Sequence, residues 1–277
     1  MIRTSIQGEK GSFHEVAARL FFDKETIDII PCTTFDHTLM AVREGDADFA
    51  AMAIENARSG SILSNYTLIR ESGMKIIGEI NLRIRQNLIA MPGQQLPAIR
   101  EIRSHPTALS QCMTFLSRLR GVTLVETDDT AGSARHISEN KLEGVGTVAS
   151  AAAAKLYGLE ILVPGIETYK QNYTRFVILA DEKDARTDGN KVSICFSTGH
   201  QPGSLATVLA RVAELEINLS KIQSVPRLNG DWEYMFYADL ELKPDHDMGL
   251  IKNVLENYTT NLEVLGIYNK GEKLHES

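Results

Sequence analysis

Apolar and polar positions fall into two regimes along the chain. Over residues 1–181, short apolar runs alternate with stretches of helical period, the pattern of an α/β protein. Residues 48–54 (Asp-Phe-Ala-Ala-Met-Ala-Ile) are apolar at nearly every position, as a parallel strand covered on both faces requires. The helix before them is predicted from near Thr34 to Gly45, where glycine supplies a left-handed cap. After them, Glu55-Asn56 and a turn through Gly60 lead to a helix predicted over about residues 61–71. The unit recurs. Residues 99–103 run into Ser104-His105-Pro106 and a helix through Leu109 and Cys112, with Pro106 suited to a first helical turn. Residues 122–126 lead into Asp128-Asp129-Thr130 and a helix, and residues 145–149 into Ser150 and an Ala-rich helix.

Residues 74–90 read as an extended, crossing region, and the chain is predicted to return near residues 164–169. Two lobes with a cleft follow, one of about residues 1–78 and 168–181, the other of about residues 79–167. Ligands of open α/β sheets bind outside the carboxyl ends of the strands, where helix N-termini favour anions. Residues 191–270 pattern differently. Strands are predicted over 192–197, from Ile217 to about Val225, over 233–242 and over 264–268, with helices near 203–215 and through Leu250 and Val254. Leu228-Asn229-Gly230-Asp231 carries a hairpin signal. The order βαββαβ is that of a ferredoxin-like module.

Composition narrows the class. A chain of 277 residues can bury one large or two modest cores. A formal charge of −7, from 29 basic and 36 acidic residues, disfavours nucleic acid as a partner. Cys32, Cys112 and Cys195 are odd in number and lack metal-ligand spacing, as expected of reduced thiols in a cytoplasmic protein. No apolar run approaches the ~18 residues of a membrane span, and residues 1–6 lack the apolar region of a signal peptide, so no membrane partner is expected.

Generic catalytic motifs are missing: there is no P-loop, dinucleotide fingerprint, HExxH or CxxC. The unusual stretch is Asn172-Tyr173-Thr174-Arg175-Phe176, which runs into Val177-Ile178-Leu179-Ala180. A hydroxyl and a guanidinium stand where a strand enters a core, and buried polar groups need partners. Singly, each candidate has an ordinary reading. Arg175 suits an ion pair, with Glu55 the candidate partner. Ser104, Thr130 and Ser150 suit helix caps, Gln111 a core-edge amide and Asn56 a turn. Together, Asn56, Ser61, Ser104, Thr130, Ser150 and Thr174 offer hydrogen bonds and one arginine, without a strong base or metal ligand. Such a set suits positioning, electrostatics and one proton transfer; no cofactor or metal is expected.

Several stretches carry a specific resemblance: Gln7-Gly8-Glu9-Lys10-Gly11-Ser12-Phe13, Ile54-Glu55-Asn56 with Ser59-Gly60-Ser61, Gly78-Glu79, Ser104-His105-Pro106, Gln111-Cys112, Asp129-Thr130-Ala131, Ala149-Ser150, Tyr157-Gly158-Leu159 and the Thr174-Arg175-Phe176 run. In their order and spacing the chain resembles the prephenate dehydratases that carry a C-terminal ACT domain, over nearly its whole length. The resemblance implies a periplasmic-binding-protein-like, two-lobed catalytic region over residues 1–181 and an ACT regulatory domain over residues 191–277. It implies conversion of prephenate to phenylpyruvate, with loss of carbon dioxide and water, in phenylalanine biosynthesis.

By the same resemblance, Thr174 assists departure of the leaving group, and Arg175 holds a carboxylate or braces the cleft. Asn56, Gly60, Ser61, Ser104, Gln111 and Phe176 bind substrate. Gly203, Ser204, Leu205, Asn218 and Leu219 bind L-phenylalanine as effector, in a homodimer or homotetramer. The chain departs from the family pattern at Gln86 and Thr107, where His and Gln are common, and at Gln223-Ser224-Val225-Pro226, where two charges are lost. Weaker inhibition by phenylalanine is the expected result of the last change. Arogenate dehydratase, acting on the aminated substrate, is the nearest alternative, and a non-catalytic amino-acid sensor a more distant one.

Overall fold

The computed structural model describes residues 1–23, 25–226 and 234–276. The predicted Asn229-Gly230 turn lies outside them. In chain order the elements are β1 (Ile2–Gln7), α1 (Phe13–Phe22), β2 (Ile27–Cys32), α2 (Phe35–Arg43), β3 (Phe49–Asn56), β4 (Gly60–Ser61), α3 (Leu63–Ser72), β5 (Lys75–Arg83) and β6 (Asn87–Ala90). Then come β7 (Glu101–Ser104), α4 (Pro106–Gln111), α5 (Met113–Leu116), β8 (Thr123–Glu126), α6 (Thr130–Glu139), β9 (Val145–Ala149), α7 (Ala151–Leu156), β10 (Glu160–Val163) and β11 (Tyr173–Ala180). The chain continues through β12 (Lys191–Ser197), α8 (Ser204–Glu214), β13 (Asn218–Pro226), β14 (Tyr234–Glu241), α9 (Met248–Glu256), β15 (Thr260–Tyr268) and β16 (Lys273–His275).

These elements gather into two compact units. The first comprises residues 1–62, 80–176 and 272–277, the second residues 63–79 and 177–271. Two sheets contribute to the first unit, which takes β5 from Ile80 and β11 as far as Phe176. One has the order β2-β1-β3-β11-β5-β16, with β4 paired on β3, and the other the order β10-β6-β9-β7-β8. In the first sheet β1 pairs in parallel with both β2 and β3, as the unbroken apolar run of β3 predicts. The chain changes sheet between Arg83 and Asn87 and returns between Val163 and Tyr173. Helix α1 packs Val16 and Ala17 against Ala53, Leu82 and Phe176 of the first sheet. Leu109, Cys112 and Leu116 close over Ile102 and Val148 of the second.

Two features join the lobes of the first unit at its strand ends. The Ser150 hydroxyl, capping α7, donates to the Gly11 carbonyl at 2.5 Å. Gly11 has φ +89°, and a Cβ there would stand 2.9 Å from the Ala153 backbone, so glycine is demanded twice over. The other feature is β16, which pairs in parallel with β5 at Asn81, Leu82 and Arg83. Just beyond it, the Glu276 carboxylate accepts the backbone N–H groups of Ala151 and Ala152 at the start of α7.

The second unit contains the predicted βαββαβ order as an antiparallel sheet, β13-β14-β12-β15. Its core joins Val192, Ile194 and Phe196 to Val208 and Val212 of α8 and Ile251 and Leu255 of α9. Helix α3 belongs here too, with Tyr66 packed on Tyr237 at a ring separation of 5.3 Å. A charged cluster is buried beside it. Lys191 Nζ donates to both oxygens of Glu79, at 3.0 and 2.9 Å, and stands 3.8 Å from Asp239. Asp239 accepts from Ser193, which also meets the Tyr268 hydroxyl, and Glu79 accepts the Gly271 N–H. The described residues include no helix long and apolar enough to cross a membrane.

Candidate active site

Strand β11 explains why Thr174 and Arg175 have different surroundings. Side chains alternate across a strand, so neighbours face opposite ways. Thr174 and Phe176 line a cavity of about 300 Å³ in the first unit, and Arg175 is not among its lining residues. The Arg175 guanidinium instead stands 3.8 Å from Glu55 on β3, the ion pair its sequence context suggested. The Phe176 ring meets His14 edge-on at 5.0 Å.

Asn56, the last residue of β3, organises the site. Its Oδ1 accepts the backbone N–H groups of Arg58 and Ser59, each at 2.9 Å, which closes the turn into β4. Its Nδ2 is thereby turned to β11 and donates to Asn172 Oδ1 and Thr174 Oγ1, both at 2.9 Å. Thr174 thus accepts from Asn56 and keeps its own proton available for the cavity. Asn172 Nδ2 donates onward to Gln111 Oε1 at 3.0 Å, and Gln86 Nε2 approaches the same oxygen at 3.4 Å.

The remaining sequence candidates divide. Gln111 lines the cavity, at the end of α4. Gly60 and Ser61 form β4 with φ +80° at Gly60, and neither lines the cavity, though Ser59 and Ile62 on either side do. The predicted start of a helix at Ser61 gives way to this short pairing, and α3 begins at Leu63. Ser104 is fully buried, and its hydroxyl donates to the Val148 carbonyl at 2.7 Å. The cap of α4 is His105, whose Nδ1 accepts the Thr107 N–H, and not Ser104. Likewise Asp129, not Thr130, caps α6, and both line the cavity. Burial raises the Asp129 carboxyl above its ordinary range.

His14, absent from the sequence candidates, also lines the cavity. Its Nε2 accepts the Ala53 N–H, and burial lowers its pKa to about 4, so the ring is neutral at pH 7. Its place in the first turn of α1, after the carboxyl end of β1, was the available signal. Among the described residues, those lining this cavity include Asp128 and Asp129 but no lysine or arginine. A second cavity of about 350 Å³ shares Ser59, Thr107 and Gln111 with it and is lined by Arg58 and Tyr169. Arg58 lies 3.5 Å over the Tyr169 ring.

The second unit has its own cavity, of about 470 Å³, lined by residues 198–206 with Tyr234 and Phe236. Gly203, Ser204 and Leu205 are among its lining residues. Asn218 and Leu219 are not, and Asn218 donates to Glu241.

Comparison with known proteins identifies the family. The prephenate dehydratase family model matches residues 4–184. The chain is 37% identical to the arogenate dehydratase/prephenate dehydratase 2 of Arabidopsis thaliana, over 96% of this chain and 72% of that one. A solved structure described as GqqA, a novel type of quorum quenching acylase, is 30% identical, with a TM-score of 0.85 over 96% of this chain and 97% of that one. Prephenate dehydratase of Arthrobacter aurescens, solved in complex with L-Phe, is 24% identical and shares the fold, with a TM-score of 0.81 over 97% of this chain and 90% of that one. This chain belongs to the prephenate dehydratase family of lyases.

Proposed function

We propose that the cavity beside Thr174 converts prephenate to phenylpyruvate. The supporting observation is the direction of the Asn56–Thr174 hydrogen bond, which leaves the Thr174 proton as a donor toward a departing oxygen. In the reaction the ring C–O bond and the bond to the ring carboxylate break. The electron pair left by carbon dioxide completes the aromatic ring, and the oxygen takes a proton and leaves as water. Threonine is a very weak acid, so its hydroxyl stabilises the departing oxygen by hydrogen bonding or relays a proton. Phe176 and His14, packed edge to face, supply apolar surface for the ring. Arg175 acts as a brace through Glu55, and Arg58 is the nearby cation for a substrate carboxylate. Arg58→Ala is expected to raise KM severalfold and change kcat less.

Arogenate is the second reading, favoured by the name of the Arabidopsis relative, which carries both activities. Following turnover of each compound by purified protein decides between them; a strong preference for arogenate in kcat/KM overturns the first reading. Acylase chemistry gains no such support. Among the described residues, neither the His14 nor the His105 ring, each of which accepts a backbone N–H, is hydrogen-bonded to a serine or threonine hydroxyl of the kind a hydrolase uses.

The βαββαβ module is proposed as an ACT regulatory domain that associates between copies of the chain and binds L-phenylalanine in the cavity lined by Gly203, Ser204 and Leu205. Phenylalanine is expected to inhibit, and activity measured with and without it tests this. A cytoplasmic location, with Cys32, Cys112 and Cys195 as reduced thiols, is part of this proposal.

A further inference from the structure

The amides around Thr174 form a chain whose direction is set by the backbone. Asn56 Oδ1 takes two backbone donors, so its amino group faces Asn172 and Thr174. Asn172 then donates to Gln111 Oε1, and the Gln86 amino group meets that same oxygen. Gln86 must therefore turn its own Oε1 away from the chain. That atom is buried on a residue 3% exposed, and it finds no hydrogen-bond partner among the described residues. Leaving a buried carbonyl unpaired is costly, and such an atom in a native site calls for an explanation. Gln86 lines the same cavity as Thr174.

We propose that Gln86 is a positioning and specificity-determining residue whose Oε1 accepts the hydrogen of the substrate's ring hydroxyl. The network then ends in a donor, the Thr174 hydroxyl, and an acceptor, Gln86 Oε1. Both residues line the cavity, and an alcohol, which accepts and donates, matches both ends. A carboxylate, which only accepts, leaves Gln86 unpaired, and an ammonium, which only donates, leaves Thr174 unpaired. The arrangement also serves the chemistry. The departing oxygen keeps its own hydrogen, held by Gln86, so a lone pair is turned to Thr174 and takes the second proton there. Gln86 gains and loses no proton in the step.

This inference rests on the reading that the cavity binds prephenate or arogenate, both of which carry the hydroxyl. The test compares two ring-saturated prephenate analogues, one with the ring hydroxyl and one without, binding to wild-type protein and to Gln86→Met by calorimetry. Gln86→Met is expected to weaken the hydroxyl analogue about tenfold, the scale of one hydrogen bond, and the deoxy analogue less than about twofold. Equal weakening of both analogues, or of neither, overturns the proposal.

Gln86→His supplies a second measurement, since imidazole accepts at one ring nitrogen only while neutral. Its kcat is expected to fall as the pH drops through roughly 6.5, the ordinary range of histidine, relative to wild type. A profile parallel to wild type speaks against the contact. Should wild-type protein turn over neither prephenate nor arogenate, the functional reading fails, and the analogue comparison still decides whether Gln86 contacts a ligand hydroxyl.

Discussion

The amide chain Asn56–Asn172–Gln111–Gln86 in the first unit and the cluster Glu79–Lys191–Asp239 in the second are both buried, and they end differently. The first is neutral and open, with a hydroxyl proton at Thr174 and a bare acceptor at Gln86. The second is charged and closed upon itself, each carboxylate receiving donors from Lys191, Ser193 or a backbone N–H. A closed network holds structure. An open one leaves groups for a visitor to satisfy, and its neutrality lets a hydrogen bond be aimed without fixing a charge beside it.

Substitutions can break this contrast. The largest expected effect is at Thr174: Thr174→Ala should lower kcat by about 10²–10⁴-fold with KM little changed, as for a group acting in the transition state. Steady-state kinetics checks it, and an unchanged kcat removes the hydroxyl from the mechanism. In the closed cluster, Lys191→Met strands two buried carboxylates and should destabilise the fold by about 3–5 kcal/mol. Denaturant midpoints measure this, and a loss below about 1 kcal/mol shows that the cluster adjusts without its cation. Asn56→Asp keeps the acceptor for Arg58 and Ser59 but removes the donor to Thr174, and should reduce kcat by about 10–100-fold in the same steady-state assay, less than loss of the hydroxyl itself.

Smaller effects sharpen the picture. The folded-state pKa of His14, lowered to about 4 by burial, lies below its unfolded value near 6.5. Its contribution to stability is therefore complete above about pH 6.5 and is lost as the pH falls toward 4, because the unfolded chain takes up the proton first. His14→Phe should flatten that part of the stability profile. Gly203, with φ +85° ahead of α8, is the mildest case: alanine meets no neighbour within 4 Å, and only the left-handed backbone resists it, at about 1 kcal/mol.

Much of the fold was legible. The apolar run of β3, the repeated strand–turn–helix units and the βαββαβ order are local patterns, and local patterns survive in the sequence. The Thr174-Arg175-Phe176 run could be picked out as polar residues entering a core, and even Glu55 as the partner of Arg175. Strand alternation already implied that Thr174 and Arg175 could not both face one cavity, yet only the structure shows which of them does. Serine is a common helix cap, but the Ser104 hydroxyl donates to the Val148 carbonyl and His105 caps α4, a choice set by the packing of β7 against β9. The amide chain was out of reach, since its members lie up to 116 residues apart and their orientation depends on two backbone N–H groups in the turn after Asn56. Equally hidden was the docking of α3 in the second unit, an outcome of long-range packing around Tyr66 and Tyr237.

Strand β16 has a consequence for how the protein is made. Residues 272–277 belong to the first unit although the whole βαββαβ module precedes them. A ribosome therefore delivers the edge strand of the first sheet, and Glu276 for α7, only after the intervening module has emerged. During vectorial synthesis the first unit waits, incomplete at its margin, for a segment that arrives late. A fragment cut after residue 181 keeps Thr174 and Asn56 yet leaves β5 with a bare edge, the kind of surface through which chains aggregate.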